Sequence, residues 1–373
     1  MTGRKESVMT NKERYRRTCL CQKADRAPYN FYFGPWGETL ARWQKEGLGE
    51  NNSDWVSPFG FDAGILVVPA NCGPCPAFEH KVLETKEHTM IISDHFGVIQ
   101  EVSRRGPTIP KYLKFPVNCI DDWIAYKKER LDPETPERFA ANFAEIAENI
   151  NRYDGAVQLN SYPHGVFGTP RELMGLENLM FAFYDDPELV HMVMDDLTDF
   201  WLAIYEKACA YVKVDIIHIW EDMSGKQGCL ISPSLMREFM VPNYKKIREF
   251  AERHDIHTVM LDTDGNVDEL IDVYMEGGIN ALMPFEVRAG SDIVKYREKY
   301  PSLCIMGGID KTEIARGREA IDAELMRIAP MLDRPGYMPA LDHLPHPDIS
   351  WDDFCYFNQS LKKLIFSKAS DIF

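Results

Sequence analysis

Beyond residue 154 two hydrophobic patterns alternate along the chain. Short apolar, β-branched runs fall at 156–159, 214–220, 257–261, 280–283, 303–306 and 337–340. Runs that are mostly apolar, without strict alternation, read as parallel strands buried on both faces. Among them lie segments whose apolar residues recur three and four apart, at 187–212, 233–253, 267–276, 292–300, 311–332 and 351–364. That spacing gathers the apolar residues on one face of a helix. Repeated strand and helix require a parallel sheet with helices packed outside it. No glycine-rich phosphate loop follows an early strand, which counts against a dinucleotide fold. The predicted architecture is α/β, a closed (β/α)8 TIM barrel.

Residues 1–153 have another texture, rich in aromatic residues, Pro and Gly. Residues 80–92 alternate polar and apolar, Gly97 turns the chain, and 98–102 continue the pattern. This predicts a β-hairpin or small antiparallel sheet. No linker or low-complexity tract divides the chain. It therefore reads as one barrel domain over 1–373. Residues 1–153 form an N-terminal elaboration with the first barrel elements, and 154–373 form the regular βα repeats.

Composition narrows the function. With 373 residues, 45% of them hydrophobic, the chain can bury a large core. Asp and Glu number 58 against 42 Lys and Arg, a net charge of −16. Such a surface repels nucleic acid and anionic membrane, so neither is an expected partner. No apolar run is long enough to span a bilayer. The first 18 residues are polar and basic without an apolar centre, unlike a secretory signal. Nine scattered cysteines suit a reducing compartment, so a cytoplasmic location is expected. Cys72-Gly-Pro-Cys75 spells a redox motif, but Pro69 before it and Pro76 after it suggest a loop.

Candidate chemistry collects where strands end. The run Thr258-Val-Met-Leu-Asp262-Thr-Asp264-Gly265-Asn266 places two acids on one side of a strand at its carboxyl end. Ligands of α/β folds bind at that end. Two carboxylates there can hold a divalent metal, a cationic group or a shared proton. The plain alternative is that one caps the next helix and the other faces solvent. A calcium loop is excluded, because the twelfth position from Asp262 is Val273 rather than Glu. The strand at 214–220 runs into Glu221 and Asp222, that at 280–283 into Glu286, that at 303–306 into Asp310 and Lys311, and that at 337–340 into Asp342 and His343. Five strands delivering ionisable groups to one rim predict a functional site there. Salt bridging to Lys226 is the plain reading for Glu221 and Asp222, and a cap for His343. His218, mid-strand in an apolar run, reads as core.

These segments, in order, resemble the uroporphyrinogen decarboxylase family, which includes methylcobamide:coenzyme M methyltransferases. The resemblance rests on Arg171-Glu-Leu-Met-Gly175, Trp220-Glu221-Asp222, the run from Ile231 to Tyr244, the turn at 262–266, Gly307-Gly-Ile-Asp310 and His343-Leu-Pro-His-Pro-Asp348. It implies a (β/α)8 barrel with its site at the carboxyl ends of the strands, and a homodimer. The decarboxylases carry an arginine pair shortly after an Asp-Arg-x-Pro opening. Here Asp25-Arg-Ala-Pro28 is followed by no arginine before Arg42, so a porphyrinogen loses its carboxylate anchors. The methyltransferases carry a His-x-Cys pair at the glycine turn and a Cys near the carboxyl terminus as zinc ligands. The equivalent positions here are Asp262, Asp264 and His343.

The resemblance therefore implies a metal-dependent methyltransferase. Asp262, Asp264 and His343 would hold a divalent metal such as zinc. A methoxylated or methylated small molecule would give its methyl group to a corrinoid on a partner protein. Glu221 and Asp222 are the catalytic candidates, Glu221 as a fourth ligand or general acid. Arg171, Glu286 and the aromatic residues Tyr32, Phe33 and Trp36 are the substrate-binding candidates. A decarboxylase acting on another carboxylate, with Asp222 or protonated Asp264 as its acid, is the second reading. A ligand-binding barrel without chemistry is the third.

Overall fold

The computed structural model describes residues 9–106 and 110–370. The first eight residues of the segment read above as no signal lie outside this range. Among the described residues, thirteen strands form three sheets. In chain order they are β1 (Ile65–Val67), β2 (Lys81–Thr85), β3 (Thr89–Ser93), β4 (Ile99–Ser103), β5 (Lys111–Lys114), β6 (Ala156–Leu159), β7 (Ile216–Trp220), β8 (Ser224–Gly225), β9 (Gly228–Cys229), β10 (Thr258–Thr263), β11 (Ala281–Pro284), β12 (Cys304–Ile309) and β13 (Tyr337–Leu341).

The main sheet has the order β1-β6-β7-β10-β11-β12-β13, and every pair in it is parallel. Helices on its outer face bury a continuous apolar layer against it. The sheet curls as a barrel, and an extended segment fills the place between β13 and β1. There the Asp62 N–H donates to the Tyr29 carbonyl at 2.8 Å. Tyr32 lines a small cavity together with Met338, Pro339 and Ala340 of β13. The barrel is thus of the TIM type, with seven ladder strands and an irregular stave. That stave is where the eighth strand of the sequence reading belongs; its Pro28 and aromatic run keep it out of the ladder.

Alternation inside the barrel is clear. Ala156, Ile216, Met260, Ala281, Met283, Cys304, Met306 and Met338 form an inner cluster with Ile65, Tyr32 and Phe33 packed on it. Tyr15 and Cys19, from the helix Asn11–Cys19, join the same cluster and plug its amino-terminal end. The polar, basic look of that helix in sequence hides this buried face.

The antiparallel sheet has the order β2-β3-β4-β5, as the alternation at 80–102 predicts. The helical segments also follow the sequence, with breaks that periodicity does not show. The stretch 311–332 divides into Lys311–Ile314 and Arg318–Leu332, separated by Gly317 in a left-handed conformation (φ 88°). Two helices, Gly168–Met174 and Leu176–Asp185, lie between β6 and the first one read from periodicity. Cys72 and Cys75 lie in irregular chain and are buried, with no strand–helix context for redox chemistry around them.

Candidate active site

The strand ends sort their polar residues into two kinds. One kind is spent on holding the rim together. Glu221 is fully buried. It accepts backbone N–H bonds from Val166 (3.0 Å), Phe167 (2.6 Å) and Gly168 (2.9 Å), and the Tyr244 hydroxyl at 2.7 Å. Burial pushes its carboxyl up to about 7, against the pull of these four donors. Both oxygens are engaged, so Glu221 presents no free lone-pair direction to a substrate. Asp310 caps the helix that follows it, through the Thr312 N–H at 2.8 Å. Asp342 accepts from Val287 N (2.9 Å) and Lys311 N (3.1 Å), tying together the loops after β11 and β12. Burial raises its carboxyl to about 6.

The second kind faces the barrel mouth. Alternation along β7 and β10 puts His218 and Asp262 inside, two residues beyond Ile216 and Met260. His218 Nε2 stands 3.4 Å from Asp262 Oδ2. His343 Nδ1 stands 3.5 Å from Asp264 Oδ1. These contacts lack hydrogen-bond alignment: among the described residues, both ring nitrogens of His218 and Nδ1 of His343 have no hydrogen-bond partner. His218 is core, as its sequence context says, yet it also belongs to the site. Inward direction can be deduced once the strand's phase is known, and the apolar run around it conceals that phase.

Asp264 lies among negative neighbours. Burial, then Asp222, Asp262 and Glu286, raise its carboxyl to about 7, while Lys311 opposes them. His343 shifts the other way: burial and Lys311 lower its basicity. The turn that aims Asp264 is fixed by Gly265, whose φ is 78° and whose added Cβ would lie 2.5 Å from the Ser224 backbone. The Gly265 N–H donates to Glu286 Oε2 at 3.1 Å, so Glu286 braces this turn.

Asp222 sits on the rim in a left-handed conformation (φ 43°), unusual for a residue with a side chain. Arg171 Nη1 holds it there, donating to its carbonyl at 2.6 Å and to its carboxylate at 2.8 Å. The same guanidinium lies 4.7 Å from the centre of the Trp220 ring. Arg171 is thereby engaged within the protein rather than extended to receive an anion. Tyr32 stacks on His218, with ring centres 6.5 Å apart at 22°. Phe33 stacks on His343 at 5.9 Å and 26°. Trp36 stands apart from them, 41% exposed, its backbone N–H on the Pro345 carbonyl. Val67, two residues beyond the inward Ile65, is also 41% exposed, so the mouth keeps an open apolar wall on the β1 side.

The profile of the family described as "Uroporphyrinogen decarboxylase (URO-D)" matches residues 89–364 of the 373. The chain belongs to the uroporphyrinogen decarboxylase family. No curated protein sequence matches it. Among solved structures, a methyltransferase from Methanosarcina mazei shares 14% identity at a TM-score of 0.58, over 95% of this chain and 99% of its own. A B12-independent methionine synthase from Shewanella sp. W3-18-1 shares 10% at a TM-score of 0.38, over 78% and 76%. The first is a likeness of fold, and the second is too distant to support more.

Family membership implies a metal for some members, and the donor set bears on it. Among the described residues, no three His, Cys, Asp or Glu side chains gather within reach of one ion. The expected trio of Asp262, Asp264 and His343 is divided, Asp262 leaning on His218 and Asp264 on His343. Their chemistry nonetheless suits a divalent cation: hard carboxylate oxygens beside imidazole rings, in a negative field.

Proposed function

We propose that this protein is a methyltransferase of the uroporphyrinogen decarboxylase family. It would move a methyl group from a methoxylated or methylated small molecule to a corrinoid carried by a partner protein. The observation that supports this best is the field at the mouth. Asp222, Asp262 and Glu286 crowd Asp264, and Lys311 is the cation opposing them. A divalent cation, zinc or a similar ion, relieves such crowding, and Asp262, Asp264 and His343 would hold it. When bound, it supplies a Lewis acid that polarises the substrate oxygen.

The chain's own residues define the rest. Val67, Tyr32 and Phe33 give an apolar wall that receives a methyl group. Arg171 fixes Asp222 at the rim, and Glu286 fixes the turn carrying Asp264. Glu221 acts as a positioning residue, locking the 165–168 turn under Arg171. The fold shared with the Methanosarcina mazei methyltransferase agrees with this reading.

One observation favours the decarboxylase reading. A carboxyl held up to about 7, as at Asp264, can give a proton to a carbanion near neutral pH. Elemental analysis after zinc reconstitution separates the two readings. The expected result is stoichiometric zinc in the wild type and in His346→Ala, and little in His343→Ala. His346 is the control because its imidazole is exposed and paired with Asp348 at 3.1 Å. A wild type without stoichiometric metal, or variants that bind alike, would overturn the metal assignment.

A further inference from the structure

Asp262 and Asp264 each lean on an imidazole, and burial gives the two rings different roles. The His343 side chain is 25% exposed and its partner Asp264 34%, so both face a ligand that enters from solvent. The His218 side chain is 2% exposed, and Tyr32 stacks on its ring. The backbone beneath that ring is fixed from both sides. The Asn160 side-chain amide donates to the His218 carbonyl at 3.1 Å, and His218 pairs with Met260 across the β7–β10 ladder. Asp262 follows Met260 by two residues, which makes it the diagonal neighbour of His218 on the inner face.

As core alone, a sealed imidazole is costly. Its nitrogens are withdrawn from water and, among the described residues, neither has a hydrogen-bond partner. An apolar side chain of similar size avoids that cost. Asp262 accounts for the imidazole. Nε2 lies 3.4 Å from Asp262 Oδ2, slightly beyond an ordinary N–H···O bond, and among the described residues Asp262 has no other ion-pair partner. A neutral imidazole carries one N–H, and a carboxylate has two oxygens. The ring can therefore hold one oxygen of Asp262 while the other faces the mouth.

We infer that His218 is a positioning residue for Asp262, holding one carboxylate oxygen so that the other is presented to a divalent metal. This rests on the metal reading of the mouth proposed above. A ligand tethered to a rigid, buried partner loses less freedom when it takes up an ion, so hydrogen bonds behind metal ligands contribute to affinity. His218 itself stays off the ion, because Tyr32 and the two laddered strands keep its ring sealed.

Zinc affinity of the full chain, measured by competition with a chromogenic chelator, reads this without any turnover. His218→Phe keeps a ring against Tyr32 and His218→Leu stays closer in volume, and neither donates a hydrogen bond. Both should weaken zinc binding by about 10–100-fold. His218→Gln carries an amide donor of similar reach and should recover most of the loss. In an Asp262→Ala background, His218→Phe should change the affinity by no more than about twofold, because the group it acts through is gone. Urea unfolding checks that each variant folds, and one folded apolar variant suffices. A wild type without zinc affinity would overturn the metal reading and this inference together. A wild type that binds zinc, with the apolar variants binding equally well, would overturn the inference alone. So would a loss from His218→Phe as large in the Asp262→Ala background as in the wild type, since His218 would then act through packing.

Discussion

Replacing Glu221 by Ala leaves three backbone N–H groups and the Tyr244 hydroxyl without an acceptor in a fully buried position. Removing one partner of a buried charged network costs on the order of 3–5 kcal/mol. Tyr244→Phe removes one donor and should cost about 1–2 kcal/mol. Glu221→Gln separates burial from hydrogen bonding. Its carboxyl is raised to about 7 from an ordinary 4.5, so the folded state holds the proton more tightly than the unfolded chain does. Stability from this group is then fully present below about pH 4.5. It falls as pH rises toward 7 and is flat above. A glutamine does not titrate, but its NH2 accepts no hydrogen bond, so it leaves two of the four donors unpaired and starts less stable than the wild type at pH 5. Between pH 5 and pH 8 the difference should move in its favour by on the order of 2–4 kcal/mol. Urea unfolding at both pH values, with unchanged m, measures this. If Glu221→Gln instead loses ground as pH rises, the four donors outweigh burial and the argument fails.

Two further outcomes follow from contacts at the same rim. A Cβ added at Gly165 would lie 1.7 Å from the Trp220 carbonyl oxygen and 2.8 Å from a Glu221 oxygen, so Gly165→Ala should cost at least about 3 kcal/mol, read as a fall in Tm. An unchanged Tm would show that β7 and the 165–168 turn are not packed as described. Uroporphyrinogen should not turn over, because the nearby arginines are engaged: Arg26 on Asp62, Arg42 on Glu46 and Arg171 on Asp222. Each missing carboxylate anchor should cost about 1.5–3 kcal/mol, and efficient anaerobic formation of a decarboxylated porphyrinogen would refute this.

Much of this fold is legible in the sequence because both-face burial makes β6, β7 and β10 to β13 predominantly apolar. Their observed bounds depart from the expected ones by at most three residues at either end. The irregular stave at Tyr29–Phe33 is not legible, since aromatic residues around Pro and Gly carry no strand period. Strand ends also announce a polar rim, but composition cannot say which acid faces inward. Glu221 and Asp342 look like Asp262 and Asp264 in sequence, yet their oxygens are occupied by backbone N–H groups from distant loops. Arg171 likewise looks like an anion contact until Asp222 is found against it. His218 is the converse case: its apolar neighbours mark it as core, and only the phase of β7 turns it toward Asp262.

Methyl transfer is the reaction proposed for the barrel mouth. Anaerobic incubation of the zinc-reconstituted protein with cob(I)alamin and a panel of methoxylated and methylated small molecules, followed by visible spectroscopy, tests it directly. Methylcob(III)alamin should form from at least one member of the panel, with formation abolished by His343→Ala and retained by His346→Ala. Carbon dioxide released from a carboxylate substrate, with no methylcob(III)alamin from any methyl donor, would contradict it.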